Sequence, residues 1–187
     1  MAAADAAPAG QASGRARLFF ALWPPEDTAG HLHRQAVSLQ DGLGGRVMRR
    51  ETLHLTLSFL GDLPRERISE LLELGAGIRF SPFSLRIDTP GHWARQRLVW
   101  AGPGDRVQAL DDLAADLQSA LVASGFELEH RQFRAHVSLL RNVNDAGALR
   151  SAATFEAVDW KVADFVLVES RRLPEGARYE VLGRWPD

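Results

Sequence analysis

The sequence predicts an α+β fold of two facing lobes, each a pseudo-symmetric antiparallel sheet with helices outside it, arranged around a central cleft. Three observations predict it. Apolar runs of strand length alternate with amphipathic stretches of helix length. Neighbouring runs are joined by short turns, which favours antiparallel pairing over a parallel, doubly wound sheet. One short pattern also occurs twice: His54-Leu55-Thr56-Leu57 returns as His136-Val137-Ser138-Leu139, so histidine and hydroxyl are displaced by the same 82 positions. Each half carries a helix and then a motif strand, as a duplication would.

The elements follow in order. Arg17 to Trp23 is a continuous apolar run that reads as a buried first strand, stopped by Pro24-Pro25. A helix is predicted over 26–40, because Ala29, Leu32, Ala36 and Leu39 fall on one stripe and Glu26 and Asp27 suit a helix N-terminus. Gly42, Gly44 and Gly45 break it, and Val47-Met48 forms a short strand. In the first motif strand the period of two puts His54, Thr56 and Ser58 on one face and Leu53, Leu55, Leu57 and Phe59 on the other.

Pro64 opens a second helix with Ile68, Leu71, Leu72 and Gly75 inward. A strand over 83–87, a turn at Pro90-Gly91 and a strand over 97–100 come next. Asp105 is read as the N-cap of a long helix bearing Val107, Leu110, Leu113, Leu117 and Leu121, with Gln108 completing a capping box and Gly125 ending it. The second motif strand presents His136 and Ser138 on one face, with Ala135, Val137 and Leu139 behind. Residues 142–154 read as loop or weak helix. Strands over 165–168 and 179–182 bracket the turn Pro174-Glu175-Gly176.

Composition bounds the function. The chain has 187 residues, 45% of them apolar, which suits one bilobal domain over 16–187 behind a disordered Ala/Gly/Pro-rich tail, 1–15. A net charge of −2 argues against extended duplex binding, yet leaves room for a small phosphate held by a few local cations. With no cysteine there is no disulfide, thiolate metal site or cysteine nucleophile. No apolar run approaches the roughly 20 residues that span a bilayer, and the start lacks the basic and apolar regions of a secretory signal. A cytoplasmic monomer is expected.

Two histidines facing one another across a cleft are the minimum for acid–base chemistry near neutral pH, since each has an ordinary pKa of about 6.5. The hydroxyl two residues along lies on the same face, where it can donate to a phosphate oxygen. Two groups to move protons and two to hold oxygens suit in-line opening of a phosphodiester. A single His-x-Thr is commonplace in strands; two copies in matching apolar contexts are not. A metal is not expected, because no cysteine or carboxylate cluster completes a ligand set. His31 and His33 read as surface residues, and His92 and His130 as solvent-exposed. The Met and aromatic residues read as core. Arg131, Phe133 and Arg134 form a basic–aromatic cluster before His136 that reads equally as a platform for a terminal base or as one buried Phe between solvated arginines. Arg49 and Arg50 are weaker candidates of the same kind.

The paired motifs and their flanks resemble the 2H phosphoesterase superfamily. The flanks are Leu18 to Pro24, Glu51 to Gly61, Phe133 to Leu139, Val166 to Ser170 and Tyr179 to Trp185. They are similar to its bacterial branch, the RNA 2′,3′-cyclic phosphodiesterases also called 2′-5′ RNA ligases. The resemblance implies hydrolysis of a terminal 2′,3′-cyclic phosphate on RNA to a 2′-phosphate, without metal or cofactor, and a weak reversible 2′-5′ joining of RNA ends. It implies His54 as general acid to the leaving 3′ oxygen and His136 as the base activating water. Thr56 and Ser138 would hold the phosphate, with Arg141, five residues after His136, beside it. Ser138 stands where the family usually has Thr, and Gln132 and Ala135 where it often has prolines. The rival reading is a module that clamps phosphate or RNA ends without significant turnover.

Overall fold

In the computed structural model, which describes residues 14–128, 132–145, 147, 155–173 and 176–186, β1 (Arg15–Leu22) runs through the middle of one half of the main sheet. Leu18, Phe20 and Leu22 on one face and Phe19 and Ala21 on the other are all buried. A strand covered on both sides reads as an unbroken apolar run rather than an alternating one. It pairs antiparallel with β3 (Leu55–Pro64) on one side and β9 (Phe165–Leu173) on the other, and β10 (Gly176–Trp185) adds outside β9.

The second half holds β5 (Thr89–Trp93), β6 (Leu98–Gly102) and β7 (Val137–Arg141), with β2 (Arg46–Val47) beside β7. Every pairing among the described residues is antiparallel, and the α+β architecture of two sheet halves is as the sequence predicts. The halves are not separate. Leu55 and Val137, the first residues of β3 and β7, face each other and join them into one sheet through that pair. Beyond it the strands run apart, and the gap they leave is the cleft. A further two-stranded sheet pairs β4 (Phe83–Ile87) with β8 (Val158–Val162).

Three helices cover the sheet: α1 (Glu26–Leu43), α2 (Ile68–Gly77) and α3 (Gln108–Ala123). The stripe expected of α1 is buried, extended by one turn through Leu43. Leu110, Leu113, Leu117 and Leu121 are the inward residues of α3. These helices close one core cluster that reaches from Leu32 through Phe20 and Leu55 to Val137 and Trp160, so both halves share it. At about 25 cal/mol per Å² of apolar surface buried, this continuous core is the main force holding the halves together. None of the helices described is long and apolar enough to cross a membrane.

Several local expectations change. Pro64 ends β3 instead of opening α2, which begins at Ile68 after one 3-10 turn over Arg65–Arg67. Pro90 and Gly91 lie within β5, where proline is tolerated because β5 is an edge strand paired with β6 alone. The glycine makes room there: a Cβ on Gly91 would stand 2.3 Å from the Trp100 ring. Asp105 does not cap α3; Val107 occupies that position without a side-chain cap, and Gln108 bonds Asp112 at 2.6 Å. The sequence reading missed β8, although Val158, Trp160 and Val162 are buried and Asp159 and Lys161 exposed in strict alternation. Residues 1–13 of the expected tail, and most of 142–154, lie outside the described residues; β1 begins at Arg15.

Candidate active site

Both motif histidines stand immediately before a strand, His54 ahead of β3 and His136 ahead of β7. Each donates its Nδ1–H to the backbone carbonyl two residues earlier, His54 to Thr52 and His136 to Arg134, both at 2.8 Å. A carbonyl only accepts, so the proton of the neutral ring sits on Nδ1 and Nε2 keeps its lone pair. The same device in both copies leaves both Nε2 atoms for a ligand.

The Leu55–Val137 pair fixes how the two motifs meet. One step either way in an antiparallel register sets His54 level with Ser138 and Thr56 level with His136. All four lie on the face opposite the buried Leu55, Leu57, Val137 and Leu139. Two residues of strand rise and one strand spacing put the two histidine Cα atoms on a diagonal of about 8 Å.

The cleft above this face has a volume of about 600 Å³ and is lined by His54, Thr56, His136, Ser138 and Arg141. Arg17, Arg46 and Arg49 add three more guanidiniums, and among the described residues no Asp or Glu lines it. A chain of net charge −2 therefore gathers four arginines at one place, with Arg17 paired to Asp62 at 3.3 Å. Among the described residues, no group of three or more His, Asp or Glu side chains converges to hold a metal ion.

The two histidines differ in their surroundings. Trp23 lies flat on the His54 ring, with centroids 5.3 Å apart and planes within 4°. Phe19 at 4.9 Å and Tyr179 at 5.2 Å complete three walls. His136 meets Trp93 edge-on at 4.5 Å and Trp100 more distantly at 6.4 Å. Burial among these rings pulls the His54 pKa down to about 4, against the opposing bond to the Thr52 carbonyl; the charges of His136 and Arg141 lower it further. His136 is also held below its ordinary value, chiefly by burial and then by Arg141, again against its carbonyl bond. Free of ligand, both rings are neutral at pH 7.

The sequence candidates fall into place unevenly. His54, Thr56, His136, Ser138 and Arg141 share the cleft. Phe133 and Arg134 line an adjoining groove of about 470 Å³ that meets the cleft at Thr56, His136 and Arg141. Phe133 is half-buried and also packs on the core. Arg131 and His130 lie outside the described residues. Arg49 lines the cleft and donates to the Ala177 carbonyl, whereas Arg50 pairs with Glu26 at 3.0 Å and does not line it. His92 is not solvent-exposed as expected: β5 carries it half-buried opposite Val99, its Nε2 without a partner.

Sequence reasoning missed the aromatic walls. Phe19, Trp23, Tyr179 and Trp93 read as core residues, but they enclose the two histidines on the cleft side of the sheet, in and beside a small cluster separate from the main core. No local signal distinguishes such a residue from a core aromatic. Tyr179, the sole tyrosine of the chain, was the one conspicuous hint.

Comparison with known proteins agrees with this geometry. A family model described as LigT-like phosphoesterase matches residues 22–100. The RNA 2′,3′-cyclic phosphodiesterase of Escherichia coli K12 is 34% identical over 172 residues, covering 90% of this chain and 95% of that protein. The protein of the same description from Thermus thermophilus is 27% identical over 178 residues, covering 90% and 89%. Among solved structures, E. coli LigT complexed with 3′-AMP superposes with a TM-score of 0.80 at 31% identity, covering 91% of this chain and 97% of that one.

Proposed function

The chain belongs to the LigT-like phosphoesterase family, and on that premise we propose that it is an RNA 2′,3′-cyclic phosphodiesterase that opens a terminal cyclic phosphate to a 2′-phosphate. The observation that carries this reading is the pair of imidazoles, each tied at Nδ1 and each offering Nε2 to one cleft lined by four arginines and, among the described residues, no carboxylate. Such a cleft selects an anion and supplies two proton carriers beside it.

In this mechanism Nε2 of His136 takes a proton from water, and the water oxygen attacks phosphorus in line with the 3′ oxygen. The P–O3′ bond breaks, Nε2–H of His54 gives its proton to O3′, and the phosphate stays on O2′. The Thr56 and Ser138 hydroxyls and the Arg141 guanidinium donate to the non-bridging oxygens, where charge gathers in the transition state. The arriving anion restores the proton affinity that burial takes from His54, so the ring is charged when it is needed and readily gives its proton up. A 5′-hydroxyl in place of water would leave a 2′-5′ linkage by the same steps. Phe133 and Arg134 would contact RNA from the adjoining groove, and the protein would act on RNA ends as a cytoplasmic monomer without a metal.

The test is turnover of an oligoribonucleotide ending in a 2′,3′-cyclic phosphate, in EDTA, by the wild type and by His54→Ala and His136→Ala. A 2′-phosphate product, lost in both variants, is expected. Loss of the wild-type activity in EDTA with recovery on adding one divalent ion would overturn the mechanism. Retention of the cyclic end without turnover would make the protein a clamp.

A further inference from the structure

The cleft holds more positive charge than one cyclic phosphate requires. That phosphate carries a single negative charge, and Arg141 with the charged form of one histidine already meets it. Of the other three arginines, Arg17 pairs with Asp62 at 3.3 Å; Arg46 and Arg49 remain, both exposed and both lining the cleft. Arg46 lies directly opposite Arg141 in the β2–β7 register. Like charges in directly opposed positions of a sheet destabilise it, and an anion between them relieves that repulsion. Among the described residues, Arg46 makes no ion pair or side-chain hydrogen bond. Arg49 spends one N–H on the Ala177 carbonyl and approaches Glu51 only to 3.8 Å.

These two arginines lie at a particular end of the cleft. The chain leads from β2 through Arg49 and a 3-10 turn over Arg50–Thr52 to His54. They are therefore on the His54 side of the reacting phosphate. In the proposed reaction His54 protonates O3′, so the ribose that carries O3′ is on that side too. From that ribose the chain continues through its 5′ oxygen, and the first group on that oxygen in RNA is another phosphate.

We infer that Arg46 and Arg49 form a second anion position that takes the phosphoryl group on the 5′ oxygen of the terminal nucleoside, so the site selects cyclic ends that carry one. This rests on the cyclic phosphodiesterase reading above. The required chemistry is shared by a 5′-phosphomonoester and by the phosphodiester of a longer RNA. The position discriminates by charge, so its contribution weakens as salt screens it.

The experiment compares kcat/KM at low salt for three substrates: a nucleoside 2′,3′-cyclic phosphate, the same nucleotide with a 5′-phosphate, and a dinucleotide ending in the cyclic phosphate. The wild type is expected to prefer both 5′-substituted substrates by roughly tenfold or more, the effect of a charged hydrogen bond. Arg46→Gln with Arg49→Gln should abolish most of that preference, and Arg50→Gln, whose residue pairs with Glu26, should keep it. Equal wild-type values with and without the 5′-phosphate would overturn the inference, as would an undiminished preference in the double variant. Preference for the dinucleotide alone would also overturn it, since a second nucleoside would then be what is recognised. If the wild type turns over none of the three, the parent reading fails, and calorimetric binding of a nucleoside 3′,5′-bisphosphate against its 3′-monophosphate decides the subsite. A tighter bisphosphate in the wild type that the double variant no longer distinguishes supports it; equal affinities sink it.

Discussion

Trp23 lies parallel to the imidazole of His54 at 5.3 Å, while the equivalent aromatic contact of His136, with Trp93, is edge-on at 67°. The two copies of one motif thus sit in unequal surroundings. A ring stacked face to face is shielded from water over its whole plane, and a ring met by an edge keeps more of its hydration. This asymmetry depresses the proton affinity of His54 in the free protein more than that of His136, the reverse of the order an acid–base pair with His54 as donor requires. The proposed acid role therefore depends on the bound phosphate raising it again.

The pH dependence follows with a definite sign. The proposed reaction needs His54 protonated and His136 neutral, and burial holds both below 6.5, His54 at about 4. Activity should fall on the alkaline side as His54 loses its proton and on the acid side as His136 gains one. A bell-shaped kcat/KM with its maximum below pH 6.5 is expected, measured from pH 4 to 9. A maximum above pH 7, or a flat profile, would count against this pair.

Removing the stacked ring should move that curve. In Trp23→Ala water reaches the face of His54, and the largest cause of its depressed pKa weakens. Titration of the His54 ring by NMR in the free protein should shift toward 6.5, and the acid limb of kcat/KM, which follows the lower of the two affinities, should shift the same way. His136, which does not touch Trp23, should titrate as in the wild type. An unmoved His54 titration would mean that Trp23 plays no part in setting it.

The same depressed pKa links to stability. Unfolded His54 binds a proton near 6.5 and folded His54 only near 4, so the unfolded state holds more protons between those values. Stability from this group is complete above pH 6.5 and declines as the pH falls toward 4. Denaturant midpoints of His54→Asn should depend less on pH across this window than those of the wild type.

Arg141 should act mainly on binding the anion. It lines the cleft, and its charge lowers the proton affinity of both histidines. A hydrogen bond to a charged group is worth about 1.5–3 kcal/mol, so Arg141→Ala should weaken phosphate binding roughly 10- to 100-fold. Both histidine pKa values should rise in the free protein. Arg141→Lys should recover the charge but not the forked contact.

Away from the cleft, Glu169 on β9 is only 3% exposed and takes two bonds from Arg65, at 2.7 and 3.0 Å. The bonds from Arg65 hold its carboxyl below the ordinary carboxylate range, assisted by Arg171. Arg65→Met would leave a buried carboxylate with Arg171 as its nearest cation. The cost should be about 2–3 kcal/mol in denaturant unfolding at pH 7, below the range for fully buried pairs because Arg65 is partly exposed. It should shrink as the pH falls and Glu169 is protonated.

Much of this was legible along the chain. The repeat of His54-x-Thr56 as His136-x-Ser138 marked groups that share one cleft, and the alternation around each motif assigned imidazole and hydroxyl to one face. The stripe of Ala29, Leu32, Ala36 and Leu39 located α1. These are local properties, because backbone periodicity dictates which side of an element is apolar whatever it packs against. Tertiary structure decided what stands opposite. Trp23 and Tyr179, 156 positions apart, meet over His54 only because β1, β9 and β10 are neighbours in one sheet. Arg46 faces Arg141 only because β2 and β3 flank β7 in one register. Cross-strand register is set by the joint packing of distant segments, so the sequence named the groups proposed to react, and the fold made the two histidines unequal.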